Sequence, residues 1–181
     1  MKKLSLLALL LAGLATAAPA AITAGLEIGY LTDSKDPIYS ARAGWEFKSG
    51  GSLAHQVELE FSRAEDKEGD PFVDYRLKLT PIMVNYRAET MAANKLGYYF
   101  GAGVGQSKVS FSVRSSGLPF ISDSANALAY QAFAGIRYQV SPNVTLQAGV
   151  KYLKIDDVTF LGTEVEVGDD LAITGGLSFR F

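Results

Sequence analysis

Charged residues recur at every second position in several stretches of this 181-residue chain, and they are the first groups that could do chemistry. The set is Glu27, Arg42, Glu46, Glu58, Glu60, Arg76, Lys78, Arg87, Arg137, Lys151 and Arg180. Alternation places each on the polar face of a β-strand, because successive side chains in a strand point to opposite sides. Turned inward, a mixed-sign set would either line a narrow ion path or neutralise itself as a plug, since buried ions persist only when partnered. Glu58 and Glu60 also form a carboxylate pair of the kind hydrolases use, but facing arginines explain them better.

Other catalytic patterns are weak. His55 is the one histidine and shares parity with Val57 and Leu59, which sets it on an apolar face. The chain has neither a Gly-x-Ser-x-Gly elbow nor a His-Glu-x-x-His helix. Without cysteine it has no disulfide and no Cys-ligated metal. Gly101, Gly103 and Gly105 lie within a strand pattern, away from the strand-to-helix setting of a nucleotide loop, and are expected to leave room for long side chains. No catalytic site, metal or cofactor is expected.

The elements that must position these charges read as eight strands, at residues 22–31, 38–47, 53–63, 73–88, 96–107, 127–140, 144–155 and 171–181. The seventh sets Val144, Leu146, Ala148, Val150 and Tyr152 against Thr145, Gln147, Gly149 and Lys151; in the sixth, Phe133 interrupts the polar face. The fourth has Tyr75, Leu77 and Leu79 on odd positions but Ile82, Val84 and Tyr86 on even ones, which predicts a bulge near Thr80-Pro81. Connections at 48–52, 89–95 and 141–143 are short. Those at 64–72, 108–126 and 156–170 are longer and alternate with them, and the first of that series, 32–37, is short. The expected fold is all-β, an eight-stranded antiparallel up-and-down transmembrane β-barrel.

Both ends agree with a membrane barrel. Leu171, Ile173, Leu177, Phe179 and Phe181 share one face of the last strand, and the chain stops on the aromatic. This ending resembles the C-terminal signature by which outer-membrane barrels are recognised for assembly, with Ile173, Leu177, Phe179 and Phe181 as its residues. At the other end, Lys2 and Lys3 precede an apolar run from Leu4 to Leu14 and the small residues Ala18-Pro19-Ala20. That is the pattern of a secretory signal peptide, expected to be cleaved after Ala20, with Ala17 as a second site. Residues 1–20 are thus the leader and 21–181 the barrel domain. Removing Lys2 and Lys3 takes the formal charge from −2 to −4, which argues against nucleic acid as a partner.

Parity alone does not separate a membrane barrel from a soluble one with an apolar lumen. Aromatics near strand ends on the apolar faces, such as Tyr30, Trp45, Phe61, Tyr86, Tyr98, Tyr138 and Tyr152, favour lipid outside, as interfacial girdles do. Pro81-Ile82-Met83-Val84-Asn85-Tyr86, followed after a turn by residues 97–105, resembles the fourth and fifth strands of the small porin-like outer-membrane barrels, the OmpA/OmpX-like architecture. The resemblance implies location in the bacterial outer membrane, contact with its lipid and lipopolysaccharide, and assembly through the barrel assembly machinery. That architecture hosts structural proteins, adhesins, small pores and a few lipid-modifying enzymes. The enzymes use a His with a Ser and an acidic partner, which His55 alone does not supply.

Specific function is expected in the external loops. Acidic residues there, among them Glu65, Asp66, Asp156, Asp157, Asp169 and Asp170, are read as solvating. Leu118, Phe120 and Ile121 form an apolar tip that would fold over the mouth or contact an extracellular partner. The reading is a structural or adhesin-like barrel filled by a charged network. A narrow channel is the alternative, and a lipid-modifying enzyme the less favoured one.

Overall fold

Strict alternation of inward and outward side chains closes this chain into a single cylinder. The computed structural model describes residues 21–48, 53–70, 73–90, 95–115, 121–160, 163–165 and 167–181. The strands are β1 (Ala21–Leu31), β2 (Pro37–Lys48), β3 (Leu53–Asp70), β4 (Val73–Thr90), β5 (Leu96–Ser115), β6 (Ile121–Ser141), β7 (Val144–Ile155), a short hairpin of β8 (Val158–Phe160) and β9 (Thr163–Val165), and β10 (Asp169–Arg180). All but β8 and β9 join a closed antiparallel barrel in the order β1-β10-β7-β6-β5-β4-β3-β2. Its seam is β1 against β10, where Ile22 and Phe181 exchange backbone bonds at 3.3 and 2.9 Å. The terminal aromatic therefore completes the ladder that removes the last free edge.

Strand starts and ends at the short-turn end match the sequence reading closely. The loop end differs. Residues 64–70 and 108–115, expected in loops, continue β3 and β5, and 121–126 already belong to β6. The barrel is consequently lopsided: β1, β2, β7 and β10 have 11 or 12 residues, whereas β3 to β6 have 18 to 21. About ten residues suffice to cross the apolar layer, so β3 to β6 project well beyond it.

The bulge expected at Thr80-Pro81 is absent. Phe61 pairs with Ile82 and Ala64 with Leu79 in one unbroken register, and β4 runs against β5 without a shift from Val73 to Glu89. Proline has no N–H to donate, so the ladder is interrupted opposite Pro81, but no residue is inserted. The strand keeps its phase while the surroundings change. Below Pro81, Ile82, Val84 and Tyr86 face outward as part of a belt continuing through Leu59, Phe100, Ile136, Val150 and Ile173. Above it the apolar side chains turn inward, and Leu77, Leu79 and Phe111 pack with Leu31, Ile38, Val109, Leu153 and Ile155. A register shift does occur between Gln139 and Ser141, beside the turn at Pro142.

Candidate functional site

The lumen holds the charged residues in a band across the belt. Inward positions of β1, β2, β3 and β7 bring Arg42 against Glu27 at 3.0 Å and Glu58 at 3.6 Å, with Gln147 accepting a further bond from the guanidinium. Lys151 lies between Glu27 at 2.5 Å and Glu60 at 2.6 Å. Glu60 is the hub: its carboxylate also accepts from Ser62 at 2.9 Å, Asn85 at 2.8 Å and Gln131 at 3.0 Å. Nearer the short-turn end, Arg87 meets Glu89 at 2.6 Å, and Arg137 reaches the other oxygen of that carboxylate. Arg180 pairs with Glu46 at 2.6 Å where the lumen opens. Among the described residues, five carboxylates, Glu27, Glu46, Glu58, Glu60 and Glu89, thus match five cations, Arg42, Arg87, Arg137, Lys151 and Arg180.

Two expected members are elsewhere. Arg76 and Lys78 hold even positions in β4, opposite in phase to the inward-packed Leu77 and Leu79, and so face outward beyond the belt. Arg76 is 57% exposed and pairs with Glu65 at 3.2 Å, which Arg63 also meets at 2.9 Å. The opposite omission is Glu89. The expected connection at 89–95 includes it, yet it is 3% exposed and serves two arginines. Its odd position, in phase with Asn85 and Arg87, was the available signal.

Packing fixes the band. Phe133, the apolar interruption in β6, faces inward and fills space that a side chain at Gly101 would need, since a Cβ there would lie 2.5 Å from its ring. At Gly103 a Cβ would collide with the Asn85 amide that bonds Glu60 and Gln131. The Arg87 guanidinium sits 4.0 Å from the Tyr99 ring centre, a cation–π contact inside the lumen. On the loop side of the band lies the apolar cluster of Leu31, Ile38, Met83, Val109, Leu153, Ile155 and Val158, all 5% exposed or less. A charged layer and an apolar layer therefore lie in series along the axis.

Elsewhere, His55 is on the outer wall, its Nδ1 2.5 Å from the Tyr86 hydroxyl, with the two rings stacked. No helix of the described residues is long and apolar enough to cross a membrane. Ile173 on the outward face of β10 and Phe181 just beyond its end are 61% and 75% exposed, and Leu177 shares that face. Leu118 and Phe120 lie outside the described residues, and Ile121 opens β6 opposite Val113.

This geometry has relatives among known proteins. The structure of Neisserial surface protein A aligns over 89% of this chain and 96% of its own, with 18% identity and a TM-score of 0.60. Ail, the attachment invasion locus protein of Yersinia pestis, aligns over 89% and 97%, with 18% identity and a TM-score of 0.55. The outer membrane enzyme PagL aligns over 88% and 99%, with 11% identity and a TM-score of 0.51. No curated protein matches the chain by sequence. The family model described as the outer membrane protein beta-barrel domain matches residues 4–181, which includes every barrel strand described above. By that match and by its lipid-ready belt, the chain belongs to the outer membrane protein β-barrel family and is a protein of the bacterial outer membrane.

Proposed function

We propose that the protein is a closed, non-catalytic barrel whose activity lies on its external face, in a structural or adhesin-like role. The observation that carries this reading is a lumen filled by two successive layers of buried side chains. Water would have to cross a band of paired charges and then the buried apolar side chains Met83, Val109 and Ala129, each unfavourable to a hydrated ion. The projecting ends of β3 to β6 support the external half of the reading, because roughly ten residues beyond the belt raise their loops some 25 Å clear of it. Planar-bilayer conductance of the folded protein is the test. Silence is expected; reproducible single-channel steps that change in Arg42→Ala would replace this reading with a narrow channel.

Catalysis has little support. His55 bonds Tyr86 and joins no Ser or carboxylate in a described hydrogen bond, and likeness to PagL at 11% identity extends to the fold alone. Residues 1–20 act as the leader, so amino-terminal sequencing of the outer-membrane form is expected to begin at Ala21. The outward face of Ile173, Leu177, Phe179 and Phe181 serves the assembly machinery. Arg63, Arg76, Lys78 and Lys108, on the outer wall directly beyond the belt, suit the phosphates of lipopolysaccharide. Loop recognition belongs to residues 116–120 and not to the whole of 108–126, most of which builds the wall. Removing 116–120 is expected to abolish partner binding and leave heat-modifiable migration intact.

A further inference from the structure

The loop end of the lumen is hollow. A cavity of about 180 Å³ lies among Leu31, Leu77, Leu79, Leu153 and Ile155, with Ala64 and Val167 beside them. A void in a packed apolar layer normally costs stability, and one that opens at a barrel mouth is the usual form of a ligand site. The volume is slightly above the roughly 150 Å³ of an apolar cavity known to accept benzene, so its occupant has an apolar part about the size of one ring.

The rim is of one sign. Asp33, Asp36, Asp66, Asp169 and Asp170 line the entrance, and no Lys, Arg or His is among the described residues that line it, Lys35 of the same turn and Lys154 opposite Asp169 lying outside the lining. The Asp170 carboxylate is held by the amides of Thr32, Asp33 and Ser34, each at 3.0 Å, and by the Ser34 hydroxyl at 2.9 Å. Those neutral donors fix its position and, among the described residues, leave its charge without a counter-ion. Asp36 Oδ2 is shielded from solvent and has no hydrogen-bond partner among the described residues. The nearest basic side chain of β7, Lys154, is the cross-strand neighbour of Asp169 and lines an adjoining polar depression with Asp156, Asp157 and Asp169, which leaves Asp36, Asp66 and Asp170 as the carboxylates facing the chamber. Among the described residues no three carboxylates converge closely enough to hold a metal ion. An apolar chamber beneath spaced carboxylates is complementary to a different ligand, one apolar group carrying one ammonium.

We propose that this mouth cavity binds a small amphipathic amine, its ring or short alkyl group among Leu77, Leu79, Leu153 and Ile155 and its ammonium between Asp36 and Asp66. The proposal rests on the external face being the working one and gives that face a ligand class. A charge-assisted bond to a carboxylate supplies the preference over neutral isosteres.

The test is a titration of the full chain in lipid nanodiscs with benzylammonium, benzyl alcohol and benzoate, read by methyl NMR of the cavity leucines and Ile155 against empty discs. Saturable shifts are expected with benzylammonium, at least about tenfold weaker binding with benzyl alcohol, and none with benzoate. Asp36→Asn with Asp66→Asn is expected to erase the difference between amine and alcohol, and Ala64→Leu, which fills the chamber, to abolish both. Equal binding of benzoate and benzylammonium to the unmodified protein would overturn the proposal, and so would a double Asn variant with unchanged preference. A barrel that is silent in bilayers yet ignores benzylammonium would sink the pocket and leave the closed-barrel reading standing.

Discussion

The belt and the projecting wall are built from the same strands in the same register, yet they are inside-out relative to one another. Within the belt, β4 points Met83, Asn85 and Arg87 inward and Ile82, Val84 and Tyr86 outward. A few residues further along, the same strand points Leu77 and Leu79 inward and Arg76 and Lys78 outward. The backbone is indifferent to this change, since the ladder keeps one register on both sides of its interruption at Pro81. What changes is the surrounding solvent. Lipid rewards apolar atoms outside and forces the polar ones to find partners within; water reverses both preferences. One cylinder therefore carries a polar core stabilised by ion pairs and an apolar core stabilised by burial.

The comparison is broken most severely at Glu89. Replacing it with alanine leaves Arg87 and Arg137 without their shared carboxylate in a layer enclosed by protein and lipid. Stripping one partner from a buried charge network costs about 3–5 kcal/mol, and unfolding midpoints in urea, followed by heat-modifiable migration, will read it. A loss below about 1 kcal/mol would mean that water screens these arginines, which would return the narrow-channel reading to favour.

A smaller effect sharpens the boundary between the zones. Val84 is outward in the middle of the belt and Thr80 is outward just beyond it, four residues apart on one face. Val84→Lys is expected to destabilise by about 2–4 kcal/mol, the cost of a lysine at the bilayer midplane. Thr80→Lys, half-buried on the outer wall beyond the belt where the ammonium reaches water, is expected to fall within about 0.5 kcal/mol of zero. Equal penalties at the two positions would place the membrane boundary elsewhere.

The sequence carried most of the belt and little of the wall, for one physical reason. Strands β1, β7 and β10 lie almost wholly in one solvent, so their alternation is uniform and their limits could be read within two residues. Strands β3 to β6 cross from lipid into water, and the apolar side changes on crossing. In β4 the change from odd Leu77 and Leu79 to even Ile82 and Val84 has the appearance of an inserted residue, although none is present. The same inversion placed Arg76 and Lys78 in the expected lumen, because their parity was judged by their local apolar neighbours. Glu89 was missed at the other end, where a polar strand terminus and a turn have the same composition. The pairing of Glu60 with Lys151, 91 positions apart, was legible only as a balance of signs. The cavity at the mouth left no trace in the pattern, since it depends on the volumes of leucines from several strands.

The mildest expected effect concerns acid, and it lies outside the membrane. Asp36, in the turn between β1 and β2, has its carboxyl raised above the ordinary range by burial first and then by the negative charges of Asp66 and Asp170. A raised value means the folded turn binds a proton more readily than the unfolded chain. Its contribution is therefore fully present below the unfolded carboxyl value, about 3.9, and is lost as pH rises through the folded one. Local order in this turn is expected to increase on acidification, the reverse of the usual acid loosening of carboxylate contacts. The Leu31 amide donates to the Asp36 carbonyl at 2.9 Å, so its hydrogen exchange reports on the turn directly. After correction for intrinsic exchange, its protection is expected to rise as pH falls through the raised Asp36 value, where Asp170, held below the ordinary range against burial by the bonds from Asp33, Ser34 and Thr32, is still ionised, and Asp36→Asn is expected to flatten that dependence. If protection fell instead, repulsion among the rim carboxylates would be too weak to govern the turn, and its order would depend on the bonds to Asp170.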